Sequence, residues 1–172
     1  HACLRITSTQ SENIVIKNNI LHNAYGGGLT SIGLWITPQA DMAELHIDNN
    51  LYYLPHTSRV ARIGEESAGT WTNYNLTEWQ ALGHEPNSID AIPQYVDYAN
   101  GNFHLQSTSP AIDNGTQLNV SEDYDRNARP SGAGWDIGAF EYQGPCTADS
   151  DCFADTSCAD YSCNLTTGSC EM

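Results

Sequence analysis

The stretch Glu12-Asn-Ile-Val-Ile-Lys-Asn-Asn-Ile-Leu21 returns 31 residues later, without a gap, as Ala43-Glu-Leu-His-Ile-Asp-Asn-Asn-Leu-Tyr52. In each copy apolar and polar residues alternate, as they do in a strand that buries one face. Each copy then reaches two asparagines, which accept the left-handed backbone of a sharp bend and favour a turn into a second strand. The repeat therefore predicts two stacked rungs, with Ile14 aligned on Leu45.

A third extended segment lies between the two copies. It runs over 28–36, begins at the last glycine of the triplet 26–28 and ends before Pro38. One period then holds three short strands, near 13–17, 20–22 and 29–36, which is one turn of a three-sided solenoid. An ordinary β-sandwich is the alternative, but the Asn-Gly and Asp-Gly signals of tight hairpins are scarce in the first 60 residues.

The first residues fit the same scheme. Leu4-Arg-Ile6 has the position of the third strand of a preceding coil. The opening lacks both an initiator Met and the pattern of a signal peptide, so we expect a processed or truncated piece. A chain that begins in mid-coil exposes a sheet edge, and we expect upstream coils or a partner to cover it.

After Tyr53 the regular spacing lapses. Thr77 and Gln80 have the spacing of a capping box and Gly83 follows, so one short helix is predicted in a long excursion. The strand-like segment 102–106 is then expected to resume the stack, because Leu105 lies 58 residues beyond Ile47, close to two periods.

The composition of the chain disfavours several classes of binding partner. The chain has 172 residues, with 6 Lys and Arg against 21 Asp and Glu and a net charge of −15, which disfavours nucleic acid and anionic membranes as partners. Charged residues are only 16 % of the chain, so its surface is mostly uncharged and polar. No apolar run approaches the roughly 20 residues that span a bilayer.

The cysteines divide the chain into a body, residues 1–143, and a tail, residues 144–172. Cys3 stands alone in the body, and the tail holds the other five: Cys146, Cys152, Cys158, Cys163 and Cys170. Such density in a short segment points to disulfides and an oxidising, extracytoplasmic setting. Zinc is the alternative, although Cys-x-x-Cys spacing and nearby histidines are missing. Because five is odd, one tail cysteine is free, reaches Cys3 or pairs outside this chain.

Several segments resemble the last coils and closing segment of right-handed parallel β-helix proteins of the pectate-lyase-like superfamily. The Ser-Pro-Ala-Ile-Asp run at 109–113 and the Asp-Ile-Gly-Ala-Phe-Glu run at 136–141 are the most specific. The similar segments are 49–53, 78–83, 87–89, 102–115, 125–130 and 135–142. The tail is similar to short Cys-rich modules of secreted bacterial proteins.

The resemblance implies an all-β fold, a right-handed parallel β-helix truncated at its N-terminus, with one short helix and a Cys-rich tail. It also implies a secreted or surface-exposed, carbohydrate-active protein similar to polysaccharide lyases, with a polysaccharide as partner. Lyase sites in this superfamily usually lie on central coils, which would precede this chain. The alternative is a non-catalytic surface or adhesion protein. In the closing segment, Arg126, Arg129 and Asp136 are expected to form a structural ion pair.

Lys17, His46 and Asp48 are the candidates for catalysis. Strand alternation points all three outward, with Lys17 about 5 Å from Asp48 on the neighbouring rung. β-Elimination of a uronic-acid polymer needs a base and a group that neutralises the carboxylate, and Lys17 is the candidate for either role. The alternative is a surface ion pair between Lys17 and Asp48, which contributes under about 1 kcal/mol.

Two arginines and three aromatic residues are the candidates for glycan binding. Arg59 and Arg62 could clamp a carboxylated sugar, while Tyr52, Tyr53 and Trp71 offer rings for stacking. The structural alternative is that both arginines are simply outward residues around Val60 and Ile63.

A calcium ion is the one possible cofactor. Asp149, Asp151 and Asp155 form an acidic loop with the oxygen ligands that Ca²⁺ prefers, although the loop lacks EF-hand spacing. Glu122, Asp123 and Asp125 form another such set. The net charge of −15 repels polyuronates unless Ca²⁺ bridges them, so a neutral glycan, a calcium-mediated contact or no glycan at all is expected.

Overall fold

The computed structural model describes residues 2–7, 12–24, 32–37, 42–65, 67–145, 162–164 and 169–171. Strands dominate, and α1 is the one α-helix in these residues, so the chain is an all-β protein. In chain order the elements are β1 (Ala2–Ile6), β2 (Ile14–Lys17), β3 (Ile20–His22), β4 (Ile32–Ile36), β5 (Leu45–Asp48), β6 (Leu51–Tyr53), β7 (Ala61–Glu65), β8 (Thr70–Tyr74), α1 (Leu76–Ala81), β9 (Ile89–Asp90), β10 (Tyr95–Asp97), β11 (Asn102–Leu105), β12 (Ser162–Asn164) and β13 (Ser169–Glu171), with 3-10 turns at Met42–Glu44 and Tyr98–Asn100.

The repeated segments stack as parallel strands in the predicted register. In the β2–β5 pair Ile14 lies opposite Leu45, and the ladder continues to Lys17 opposite Asp48. After the asparagines, β3 pairs with β6 and then β9, again in parallel. Leu4 lies opposite Leu34 in the third sheet, where β1, β4 and β7 are parallel. The register predicted from the repeat is confirmed.

The apolar positions of these strands form the core. Ile6, Leu34, Ile36, Ala61 and Trp79 make one buried cluster, and the alternate residues of β2 and β5 pack against it. Of the outward positions on β2 and β5, Val15 and His46 are exposed, whereas Lys17 and Asp48 are half-buried.

The asparagine pairs form a ladder between the rungs. Asn50 is completely buried, donates to the Ile16 carbonyl oxygen at 2.9 Å and accepts from the Asn19 backbone N–H at 3.0 Å. On its other side, the Asn50 N–H donates to the Ser88 hydroxyl at 2.9 Å. Asn18 and Asn49 both have positive φ angles, 58° and 53°, which asparagine tolerates better than most residues. The sharp bends are therefore encoded locally.

The excursion after β7 differs in detail from the sequence expectation. Strand β8 turns back antiparallel to β7. Asn75, not Thr77, caps α1: the Asn75 side chain accepts from the Glu78 N–H, and the Glu78 carboxylate accepts from the Asn75 N–H. The predicted Thr77–Gln80 capping box is wrong because the helix begins two residues earlier.

A buried carboxylate joins the excursion to the core. Glu85 has 1 % exposure and accepts from the Tyr52 hydroxyl at 2.8 Å, the Trp79 indole N–H at 3.1 Å and the Ser88 hydroxyl at 2.7 Å. These donors replace the water that the carboxylate loses on burial. Burial raises the pKa of Tyr52 well above its usual value, and the neighbouring Glu85 raises it further.

The predicted return of the segment 102–106 to the stack is wrong. Strand β11 pairs antiparallel with β10 in a separate two-stranded sheet. The closing segment (residues 95–142) covers the outer side of the β3–β6–β9 sheet, where Leu51 packs with Leu105, Ala111 and Ile137. Strand β9 takes the stacking position instead, with Leu51 opposite Ile89.

A network of acidic groups holds the closing segment together. Arg129 pairs with Glu141 at 2.6 Å, and both side chains are buried. Asp136 accepts from the backbone N–H groups of Asp113 and Tyr142. The expected structural ion pair therefore exists, but it joins Arg129 to Glu141 rather than to Asp136, and Arg126 is exposed.

The cysteine tail is described only at β12 and β13, which form an antiparallel pair with Cys163 opposite Cys170. Cys146, Cys152 and Cys158 lie outside the described residues, so the boundary at 143/144 and the tail disulfides stay predictions. Cys3 is a free, exposed cysteine. No helix within the described ranges has the length and apolar character needed to cross a membrane.

Candidate functional site

Arginine and tryptophan side chains line up across the outer face of the four-stranded sheet. Arg5 lies opposite Trp35, and Trp35 lies opposite Arg62, on three consecutive parallel strands. Their apolar neighbours point into the core, so strand alternation places these three residues outside. Trp71 reaches the same row from β8. We call Arg5, Trp35, Arg62 and Trp71 the Arg–Trp row.

Cations and rings alternate along this row. The Arg5 guanidinium carbon lies 4.4 Å from the centroid of the Trp35 ring. The Arg62 guanidinium lies 4.8 Å from Trp35 and 4.7 Å from Trp71, so it is sandwiched between two indoles. Such cation–π contacts contribute about 0.5–2 kcal/mol each. Arg62 Nε also donates to Asn73 Oδ1 at 2.8 Å, and Trp35 Nε1 donates to the Gly64 carbonyl oxygen at 2.9 Å.

Burial separates the supporting members of the row from the accessible ones. Trp35 and Arg62 have 5 % and 6 % exposure and hold the geometry. Trp71 keeps 43 % exposure and Arg5 is exposed, so a ligand can reach an indole ring and a guanidinium. Two of the six cationic side chains of the chain lie in this row. The row can therefore stack an apolar ring face and bind an anionic or polar group beside it.

The structure divides the predicted glycan-binding residues. Arg62 and Trp71 come together as predicted. Tyr52 has 0 % exposure and its hydroxyl donates to Glu85 in the core, so its ring cannot contact a ligand at the surface. Tyr53 lies on a different sheet, where its ring is 4.8 Å from His22. Arg59 is half-buried just before β7, and its carbonyl oxygen accepts from the Gly33 N–H at 3.1 Å.

The predicted catalytic candidates lie on the β2–β5 sheet, away from the row. Lys17 is opposite Asp48 as expected, and His46 is exposed. The Asp48 carboxylate, however, accepts from the backbone N–H and the side-chain amide of Asn87, at 2.9 and 2.7 Å. Asn87 thus donates to both oxygens of the Asp48 carboxylate, the predicted neighbour or ion-pair partner of Lys17.

Sequence reasoning missed Arg5, Trp35 and Asn73. The signal was present, because aligning the third strands of successive coils brings Arg5, Trp35 and Arg62 into one row. What no local pattern indicates is that β8 folds back and adds Trp71 and Asn73.

Metal ligation remains a prediction. Asp149, Asp151 and Asp155, the candidates for Ca²⁺, lie outside the described residues. In the part of the chain that is described, no group of three or more His, Cys, Asp or Glu side chains is arranged to hold a metal ion.

Comparisons of this chain with protein-family models, with curated proteins and with solved structures found no match.

Proposed function

We propose that this chain is part of an extracellular, carbohydrate-active right-handed parallel β-helix protein, similar to polysaccharide lyases, and that the Arg–Trp row binds its glycan. The observation that carries the proposal is the Arg62 guanidinium held between the rings of Trp35 and Trp71. The parallel ladders with a repeat of about 31 residues support the β-helix.

The chemistry of the row fits an acidic sugar. The exposed ring of Trp71 offers a flat apolar surface to the C–H face of a pyranose. Arg5 offers a guanidinium, whose planar fork matches a carboxylate. Because the net charge of −15 repels a polyuronate, the exposed Arg5 and a Ca²⁺ ion that bridges carboxylates would have to offset that repulsion.

Binding isotherms test this proposal. We expect polygalacturonate or alginate to bind the intact chain in a buffer that contains Ca²⁺, because Ca²⁺ bridges carboxylates and offsets the repulsion by the net charge of −15. Trp71→Ala and Arg5→Gln should each weaken binding about tenfold, the loss of one stacking or charge-assisted contact. Leu82→Ala, which removes a 55 % exposed apolar side chain outside the row, is the matched control. Unchanged binding by Trp71→Ala contradicts the assignment.

A cleavage assay distinguishes a polysaccharide lyase from a non-catalytic surface or adhesion protein. A lyase releases unsaturated sugars that absorb in the ultraviolet, and Ca²⁺ should be present in the assay because it bridges carboxylates. If Lys17 is the base, Lys17→Ala abolishes this absorbance and leaves binding intact.

A non-catalytic surface or adhesion protein is the second candidate, favoured by the engagement of Asp48 by Asn87. It predicts binding at the Arg–Trp row without release of any product from a polysaccharide panel.

A further inference from the structure

A cavity of about 350 Å³ lies between the asparagine bend that follows β2 and the closing segment. We call it the closing pocket. Tyr95, Phe103 and Phe140 supply aromatic walls, and Asn18 and Asn19 form a polar edge. It is separate from the Arg–Trp row, whose residues do not line it.

None of the side chains that line the closing pocket carries a charge at neutral pH. Burial raises the pKa of Tyr95 to about 12, with a smaller contribution from neighbouring Tyr98, so this phenol stays protonated. In a chain with a net charge of −15, a pocket without a cation offers no compensation to an acidic sugar. An uncharged ligand is therefore favoured.

The two asparagines of the polar edge differ in how far their side chains are already hydrogen-bonded. Asn18 is held in place by Thr116, since its amide donates to the Thr116 carbonyl oxygen at 2.7 Å and its Oδ1 accepts from the Thr116 N–H at 2.9 Å. The Asn19 amide donates to the Lys17 carbonyl oxygen and to Asn50 Oδ1, whereas Asn19 Oδ1 accepts no hydrogen bond from any described residue. Asn19 is an exposed residue of the pocket lining, so we expect this oxygen to accept from a ligand hydroxyl.

The aromatic surface continues from the pocket to the outside. The Tyr95 ring lies 5.3 Å from Phe103 and 6.0 Å from Tyr98, and these two keep 43 % and 48 % exposure. A chain of linked rings can thus enter the pocket at one end and continue over exposed aromatic side chains.

We infer that the closing pocket binds a neutral sugar unit of an oligosaccharide. This inference rests on the proposed carbohydrate function, but it concerns a different site and a different class of sugar. Aromatic walls accept the C–H faces of a sugar ring, while Asn19 Oδ1 accepts from a hydroxyl. The volume lies at the lower end of the range of small-molecule pockets, which matches one or two sugar rings.

Calorimetric titration of the intact chain with cellohexaose, mannohexaose and xylohexaose tests the inference. We expect at least one to bind. Ala139 is an exposed residue of the pocket lining, so Ala139→Phe should fill the pocket and weaken that binding about tenfold or more. Phe103→Ala should weaken it as well. The control is Ala81→Phe, which adds the same ring at an exposed position on α1 and should leave binding unchanged.

A crossed experiment separates this inference from the proposed function. Trp71→Ala should weaken polygalacturonate binding and spare the neutral hexasaccharide, and Ala139→Phe should do the reverse. If polygalacturonate binds through the Arg–Trp row but no neutral hexasaccharide binds, the pocket inference fails alone. If Ala139→Phe binds a neutral hexasaccharide as tightly as the unaltered chain, the inference is likewise overturned. If neither class binds, both proposals fail.

Discussion

Arg62 shows how one side chain can be both outward-facing and buried. Alternation along β7 places it on the outer face of the sheet, yet it keeps only 6 % exposure because indole rings cover both sides of its guanidinium. A guanidinium is weakly hydrated and planar, so stacking costs it less than it would cost an ammonium group. Arg62 therefore orients Trp71, and the proposed glycan would contact the more exposed Trp71 and Arg5.

Asp136 carries a pH-dependent contribution to stability. Its pKa is raised from 3.8 to about 6, chiefly by burial; two backbone N–H donors lower it, and the neighbouring Glu141 and Asp113 add smaller increases. Between these pH values the folded chain keeps a proton that the unfolded chain has lost. The contribution of Asp136 to the free energy of unfolding is thus fully present below about pH 4. It is lost as the pH rises through about 6, and the loss amounts to about 2–3 kcal/mol.

Urea unfolding from pH 4 to pH 7 measures this contribution. The variant Asp136→Asn does not titrate, so the free energy of unfolding of the natural chain should decline more steeply through this window than that of the variant. Only the slopes are compared, because an amide facing backbone N–H donors lowers stability at every pH. Equal slopes would show that the pKa of Asp136 is not raised.

The bends between the rungs combine a local preference with a distant contact. Asn18 and Asn49 share a positive φ, which the sequence pattern predicts. Only Asn18 also forms two hydrogen bonds with Thr116, 98 residues away. The Gly138 N–H adds a third contact by donating to the Asn18 carbonyl oxygen at 2.8 Å. The first bend is therefore also the attachment point of the closing segment.

Substitution by glycine separates these two roles. Glycine accepts the positive φ, so Asn49→Gly should change the free energy of unfolding by only a few tenths of a kcal/mol, since its side-chain bond to Asn114 is long and exposed. Asn18→Gly should cost about 1–3 kcal/mol because two partly buried hydrogen bonds are lost. Hydrogen exchange should also show faster exchange of the Thr116 amide in Asn18→Gly alone. Equal effects of the two substitutions would refute the attachment.

For two secondary-structure elements, sequence reasoning failed because two local signals competed. Thr77 and Gln80 have capping-box spacing, but Asn75 and Glu78 have it too and form the box, because Leu76 and Trp79 then face the core. Likewise, the spacing of Leu105 suggested another rung, whereas β11 finds its partner in the adjacent β10. Local spacing identifies an element but does not choose among its possible partners.

On the scale of the whole molecule, the closing segment completes the core from outside. Strand β6 is buried on both faces, with Tyr52 in the interior and Leu51 against the closing segment, and both have 0 % exposure. The Gly138 Cα approaches the Ile20 side chain so closely that a Cβ would lie 2.9 Å from Ile20 Cδ1. The closing segment therefore packs directly against the strands, without space between them.

Truncation of a buried side chain in the closing segment tests how tightly this segment packs on the sheet. Ile137 has 0 % exposure, so Ile137→Ala should lower the free energy of unfolding by about 2–4 kcal/mol through lost burial and the cavity left behind. The control Ile92→Ala removes the same atoms from a 58 % exposed side chain and should cost less than about 0.5 kcal/mol. Both values come from urea unfolding. A small cost for Ile137→Ala would mean that the closing segment packs loosely on the sheet.

The sequence by itself determined the rungs, their register and their bends. Alternation of period two and the left-handed preference of asparagine act over a few residues, so an alignment of two segments was enough to pair Ile14 with Leu45. Only the tertiary structure decided that Trp35 and Trp71 enclose Arg62, that Tyr52 is buried, and that the closing segment covers a sheet face. Those outcomes depend on contacts between distant residues, which compete for the same surfaces and leave no periodic trace in the sequence.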